Sequence, residues 1–407
     1  MSHSRTAAPA RDITAPVLVA WLCGLVLALE GYDFASVAYA APSLIDAWHV
    51  APVVFTGVFT AGNVGLLLGA LIAGPLGDLV GRKPMLMGCV AVFGLFSLLS
   101  AYASGPQALL WLRFATGLGL GGGVPLAIAL ATDHAPPERS GKLLILMSSG
   151  VSIGNVIGGL AASWIVRHLG WPAIFGVGGV LPLVVALVLL VWLPASDAHR
   201  AEAPAGGRLA ALFGAGLAPS TLALWAMNLL NLLNNYLILL WLPAVLHAAG
   251  VAPARAILAA TAYALGTILG AFGTAPVVDR MGMETVLTWV LALGVVSLLA
   301  IGVLNPPYLL LVGIVTLAGI GVGGCQHGIN ALSGRVYPGP IRSTGAGWAT
   351  GAGRVGTILG PLLGGAMVAA GWSGRDILAA AAIPALGVTL SMIALGVAQR
   401  RRAAAAA

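Results

Sequence analysis

Four ionisable side chains sit inside stretches that are otherwise apolar enough to dissolve in hydrocarbon. Glu30 and Asp33 lie in WLCGLVLALEGYDFASVAYAAP, residues 21–42; Arg113 and Arg354 lie in two further apolar runs. A charge near the middle of a bilayer is costly, so such groups face a wet interior, pair with one another or carry protons. Glu30 and Asp33 stand three positions apart, about 60° around a helix, and so share one face. Two acids and two guanidiniums cancel when all are ionised. Once one acid takes a proton, a net positive charge remains, and one monoanion would neutralise it. A site of this composition favours loading a proton and an organic anion together. Arg354 suits the anion, because a guanidinium stays charged and its planar fork can bind both oxygens of a carboxylate. Arg113 suits Asp33 or Glu30 as a counter-ion that is released when the acid is protonated. Asp33, Glu30 and Arg113 are therefore the candidates for proton coupling, and Arg354 for substrate.

Other polar groups point to the same interior. In NLLNLLNNY, Asn228, Asn231 and Asn235 recur at i, i+3 and i+7 on one stripe, with Tyr236 beside the last. A second run supplies Gln326, His327 and Asn330. Such amides line a cavity or bridge neighbouring helices, and a membrane histidine serves as ligand or as packed hydrogen-bonding group. Tyr236 and Trp348 offer faces on which a flat ring can stack, or pack against lipid and protein.

The elements that must hold these residues are membrane helices. Of the 407 residues, 59% are hydrophobic and 8% charged, against about 25% charged in an ordinary soluble domain. Apolar stretches long enough to span recur at 15–41, 53–76, 84–103, 107–132, 141–166, 172–193, 219–246, 255–277, 285–304, 307–332, 343–370 and 375–398. They do not alternate as barrel strands do. The reading is an all-α membrane protein of twelve transmembrane helices. Its net charge of +7 does not mark a nucleic-acid binder. Of the 19 basic residues, fourteen fall on the face that carries both termini, three (Arg167, Arg255, Arg375) on the other, and Arg113 and Arg354 inside spans. That asymmetry predicts cytoplasmic termini and a multi-pass protein of the plasma membrane, of the bacterial inner-membrane type. Cys23, Cys89 and Cys325 show no pairing pattern and are expected to be free thiols.

The chain repeats itself. PLGDLVGRKPML (75–86) aligns with PVVDRMGMETVL (276–287), with Asp78 and Gly81 matching Asp279 and Gly282. GLGLGGG (117–123) aligns with GIGVGGC (319–325), and GNVIGG (154–159) with GTILGP (356–361). This implies two pseudo-symmetric six-helix halves, residues 1–193 and 219–407, joined by a cytoplasmic linker at 194–218, with a polar cavity between them. GLGLGG formally fits a dinucleotide fingerprint but follows no strand, so it is read as small residues that let helices approach closely. In GPLGDLVGRKPML (74–86), Gly81 permits a tight turn. Asp78 is placed to accept from the free N–H groups at the start of the eleventh span, and Arg82 to pair with Asp133; together they would form a cytoplasmic gate.

GPLGDLVGRKPML and RFATGLGLGGGVP (113–125) resemble the signature loops of the major facilitator superfamily. LEGYDF (29–34), YLILLWLPAVL (236–246) and residues 328–365 are similar to elements of its aromatic acid/proton symporter family. The resemblance covers residues 15–398. It implies rocker-switch uptake of aromatic carboxylates such as hydroxybenzoates with protons, with functional weight on Glu30, Asp33, Arg113 and Arg354. The chain departs from the family pattern at Glu30, where aspartate is usual, and in DRMGMETV, which lacks the basic pair of Arg82–Lys83.

Other classes fit less well. A proton-driven exporter of drugs or metabolites usually carries a Gly-Pro signature in its fifth span, whereas here the Gly-Pro run lies in the eleventh. An enzyme would need a nucleophile–base pair, metal ligands or a cofactor motif; the scattered histidines and cysteines form none. A channel would not need two matched halves. The expected partners are lipid, a small carboxylate and protons, with no cofactor and a monomer as the working unit.

Overall fold

The computed structural model describes residues 14–134, 140–193, 208–214, 216–304, 306–338 and 341–406. Among them, twelve helices are long and apolar enough to cross a membrane. The first half comprises α1 (Thr14–Trp48), α2 (Phe55–Val80), α3 (Arg82–Ser100), α4 (Pro106–His134), α5 (Ser140–His168) and α6 (Trp171–Trp192). In the second half, α7 is Ala218–Ala248, α8 Pro253–Met281, α9 Met283–Leu304 and α11 Arg342–Ala369. Between the last two, α10 starts as Tyr308–Ala318, passes through a π-helical turn at Gly319–Gly323 and continues as Cys325–Val336. Finally, α12 joins Gly374–Ala380 to Ala382–Ala406. Most of the expected linker lies outside the described residues; its end forms a short helix, Arg208–Ala211, before α7.

Helix ends follow backbone chemistry more than the apolar runs suggest. Helix α1 continues through Pro42 to Trp48, beyond the expected end at 41, and Trp48 packs on the rings of Phe55 and Trp171. Helix α2 likewise runs past Pro75 and stops at Gly81, whose φ of 106° is open to glycine and strained for other residues. Gly282 repeats this turn between α8 and α9 with φ 81°.

Both halves use one packing scheme. Helix α1 lies against α5, α2 against α4 and α3 against α6; in the second half α7 lies against α11, α8 against α10 and α9 against α12. Bare glycines make these pairs close. A Cβ at Gly117 would collide with the Gly62 carbonyl of α2, and one at Gly154 with the Ala28 carbonyl of α1. The glycine run of the fourth span is thus a helix-packing surface, as its context predicts. Large apolar side chains left outside, such as Leu187, Val191, Val303 and Ile383, suit a hydrocarbon solvent.

The halves meet along α1–α7, α2–α11 and α5–α8. Their contact is asymmetric along the long axis of the bundle. At the end opposite Arg82 and Lys83, one apolar cluster spans both halves, with Tyr39, Phe55 and Phe59 from the first and Trp241, Ile257 and Tyr263 from the second. There the Phe59 ring meets Trp241 edge-on at 5.4 Å, and Ser163 Oγ donates to the Ala254 carbonyl at 3.1 Å. His247 Nε2 also lies 2.9 Å from a carboxylate oxygen of Asp46 across the same boundary. Toward the basic end each half keeps its own cluster, around Leu86, Phe93 and Leu130 in one and Leu224, Leu291 and Met392 in the other. The bundle is sealed at one end by shared apolar packing and divided at the other.

Candidate functional site

Between the halves lies a cavity of about 250 Å3, with Glu30 and Phe34 from α1 and Arg354 from α11 in its wall. Asn235 and Tyr236 from α7, and Gln326 and His327 from α10, complete the part of the wall foreseen from sequence. Glu30 is buried against α4, where a Cβ at Gly123 would come within 2.5 Å of its Oε2. That oxygen has no hydrogen-bond partner among the described residues. Arg354 is half-buried, and its repeat counterpart Ser152 lines the same cavity from α5. An acid and a guanidinium therefore share one cavity with the aromatic faces of Phe34 and Tyr236, whose ring centroids are 5.1 Å apart.

Asp33 and Arg113 are elsewhere. The expectation that all four ionisable groups enter one chamber is corrected by the geometry, which divides them two and two. Asp33 is fully buried; it accepts a short hydrogen bond from Ser97 Oγ and faces Arg113 Nη1 at 3.4 Å. Arg113 in turn donates from Nη2 to Ser100 Oγ at 2.8 Å and lies 5.0 Å from the centre of the Phe175 ring. Asp33 and Arg113 border a second space of about 20 Å3 with Asn63, Thr116 and Leu240. The cause is what packs around α1. The 60° step leaves both acids on one broad face, but Ser97 of α3 and Arg113 of α4 close over Asp33, whereas Glu30 borders the central cavity. It also settles the counter-ion, since Arg113 pairs with Asp33 and not with Glu30. A buried pair of this kind is held by its added hydrogen bonds, here the two α3 hydroxyls, more than by attraction alone.

The amide stripe does both jobs considered for it. Asn231 Nδ2 donates to Gln326 Oε1 at 2.8 Å, and Gln326 Nε2 donates to Asn228 Oδ1 at 3.2 Å and Asn330 Oδ1 at 3.0 Å. This network ties α7 to α10 and fixes the Gln326 amide at the cavity edge. Asn231 and Asn330 act through Gln326 and do not form the wall. Asn235 does form it, with its Oδ1 accepting from Tyr263 O–H at 2.9 Å. Trp348 departs from expectation: it stacks on Trp225 at 5.8 Å outside the cavity wall and is 47% exposed. Its position on α11, six residues before Arg354, turns it away from the centre.

At the basic end Asp78 lies 3.6 Å from Arg82, a contact within the first half. The expected reach of Asp78 to the start of α11 crosses the divided end, where, among the described residues, each half keeps its own apolar cluster. The side chains of Asp133 and Ser343 lie outside the described residues. Sequence reasoning did not single out Ser97, Ser100, Asn63 or Phe34. Small hydroxyls and single aromatics are common in apolar helices, so their types carried no signal; only Ser97–Ser100, three apart on one face, hinted at a shared partner.

The model of the Major Facilitator Superfamily matches residues 23–225 and 224–406. The chain belongs to that superfamily. Among curated proteins it is 34% identical to the gallate transporter of Pseudomonas putida, over 94% of this chain and 92% of that protein. It is 35% identical to the 3-(3-hydroxy-phenyl)propionate transporter of Escherichia coli (strain K12), over 98% and 97%. Among solved structures, the nucleoside transporter NupG shares the fold with a TM-score of 0.75 at 13% identity, over 93% of this chain and 99% of that one. The fold expected from the repeats is the fold observed.

Proposed function

We propose that the protein imports a small aromatic carboxylate together with protons, by rocking its two halves about the central cavity. The observation that carries this reading is the cavity wall: the guanidinium of Arg354 facing the same space as the Phe34 and Tyr236 rings. A carboxylate on a flat ring matches a bidentate cation beside aromatic faces. The relatives named for gallate and 3-(3-hydroxy-phenyl)propionate are both named for acids of that chemical type. Protons are the coupling ion in this reading, carried by Asp33 and Glu30, with Arg113 as the counter-ion of Asp33. The basic end lies in the cytoplasm by the positive-inside rule. The present conformation, sealed at the opposite end, is then the one that delivers substrate to the cell interior.

The test is uptake of radiolabelled gallate, 3-(3-hydroxyphenyl)propionate and an aliphatic carboxylate by cells expressing the protein, with and without a protonophore. Concentrative uptake of the aromatic acids, abolished by the protonophore and accompanied by alkalinisation of the medium, is the expected result. Substrate-dependent acidification would favour a proton-driven exporter instead.

A further inference from the structure

The cavity of Glu30 and Arg354 and the small chamber of Asp33 and Arg113 have two wall residues in common, Phe34 and Leu120. Both are apolar, and they stand between the two polar spaces. The chamber, at about 20 Å3, has room for about one water molecule. Two of its wall residues bring polar atoms with no hydrogen-bond partner among the described residues: Arg113 Nε, a donor, and Asn63 Oδ1, an acceptor. Arg113 is 3% and Asn63 1% exposed. A buried donor and acceptor in a space of that size call for a guest that can serve both, and water does. On the other side, the Phe34 ring leans on Tyr236 of the second half at an interplanar angle of 58°. Phe34 thus touches both the proposed substrate cavity and the compartment of the buried acid.

We infer that Phe34, backed by Leu120, is the partition that couples substrate occupancy to the proton carried by Asp33. The inference rests on the reading of the protein as a proton-coupled carrier. With the ring in place, the residues that the two walls share among the described residues are the apolar Phe34 and Leu120, and a dry apolar constriction passes no proton. An aromatic acid that settles on Tyr236 and Arg354 occupies the space against which Phe34 leans, and turns the ring aside. Water then connects the chamber to the cavity. Where the cavity faces the medium, hydronium arriving through that water gives its proton to the Asp33 carboxylate; where the cavity faces the cytoplasm, the Asp33 carboxyl returns the proton by the same water. The carboxylate left behind keeps its hydrogen bonds from Ser97 and Arg113, and no other bond changes. Phe34 is a positioning residue in this scheme, acting through water and Asp33.

The experiment uses the full-length protein in liposomes loaded with a pH-sensitive dye. A pH gradient is imposed with and without external gallate, and gallate accumulation and counterflow are followed in parallel. In the unsubstituted protein, proton entry depends on gallate. Phe34→Ala is expected to raise gallate-independent proton entry several-fold and to lower gallate accumulation more than it lowers counterflow, since loss of a binding face alone would lower both and add no proton entry. Phe34→Tyr, which keeps the shape and adds a hydroxyl to the partition, is expected to leak in the same direction. Phe34→Leu, which keeps the partition apolar, should stay tight. If Phe34→Ala or Phe34→Tyr transports gallate with undiminished accumulation and no added proton entry, the partition is refuted. If the unsubstituted protein moves gallate without protons, the symport reading itself falls, a result distinct from a failure of Phe34.

Discussion

At the residue scale, the two guanidiniums have different tasks because their surroundings differ. Arg354 borders an open cavity and is itself half-buried, so its loss removes a ligand for substrate without breaking a fully buried, hydrogen-bonded pair. Arg354→Ala is expected to abolish uptake with normal protein levels in the membrane. Arg354→Lys keeps the charge without the fork, and should weaken apparent substrate affinity more than maximal rate, read from the concentration dependence of uptake. Arg113 is sealed in, and so is its partner. Asp33→Ala strands a buried cation and should cost about 3–5 kcal/mol of stability, read as a lower melting temperature in detergent. Asp33→Asn preserves a hydrogen-bonding group toward Ser97 and Arg113. That variant should fold and exchange substrate, yet fail to accumulate it against a gradient when a pH difference is applied.

At the element scale, contact between paired helices depends on missing side chains. In lipid the hydrophobic effect does not drive helices together, so close backbone approach and its many van der Waals contacts take over. Gly117 lies where α4 crosses α2, and any branched side chain there meets the Gly62 carbonyl. Gly117→Val should therefore reduce the yield of folded protein sharply and lower its melting temperature. Gly74, also in α2, faces open space; Gly74→Ala should leave both quantities within experimental scatter. Comparing the two variants by size-exclusion profile and thermal melt separates helix packing from a general intolerance of substitution at glycine.

At the scale of the whole molecule, the two ends of the bundle differ in what holds them. The sealed end combines a shared apolar cluster with the Ser163–Ala254 hydrogen bond and the His247–Asp46 contact. Opening it requires all of these to part together. A disulfide across it, from Ser163→Cys with Ala254→Cys, should hold the protein in the present conformation and stop transport until a reductant is added. The three native cysteines are free and buried, so the engineered pair should dominate the oxidation. Continued cycling with the disulfide demonstrably formed would show that these halves need not separate there.

The amino-acid sequence by itself determined the class of molecule. Twelve apolar runs, a positive-charge asymmetry and a repeat offset of about 200 residues leave few folds open, because a chain in lipid must satisfy its backbone within helices. It also marked Glu30, Asp33, Arg113 and Arg354, because charge in hydrocarbon is conspicuous by type alone. What only the tertiary structure decided is their grouping. Whether two acids on one helix face the same space depends on which neighbours surround that helix, and periodicity along one segment does not contain that. Phe34, Asn63, Ser97 and Ser100 stayed hidden for the same reason, since an ordinary side chain acquires a special role only when folding sets it beside a charge. The halves' asymmetric contact, closed at one end and parted at the other, likewise belongs to distances across the bundle and to no single stretch of chain.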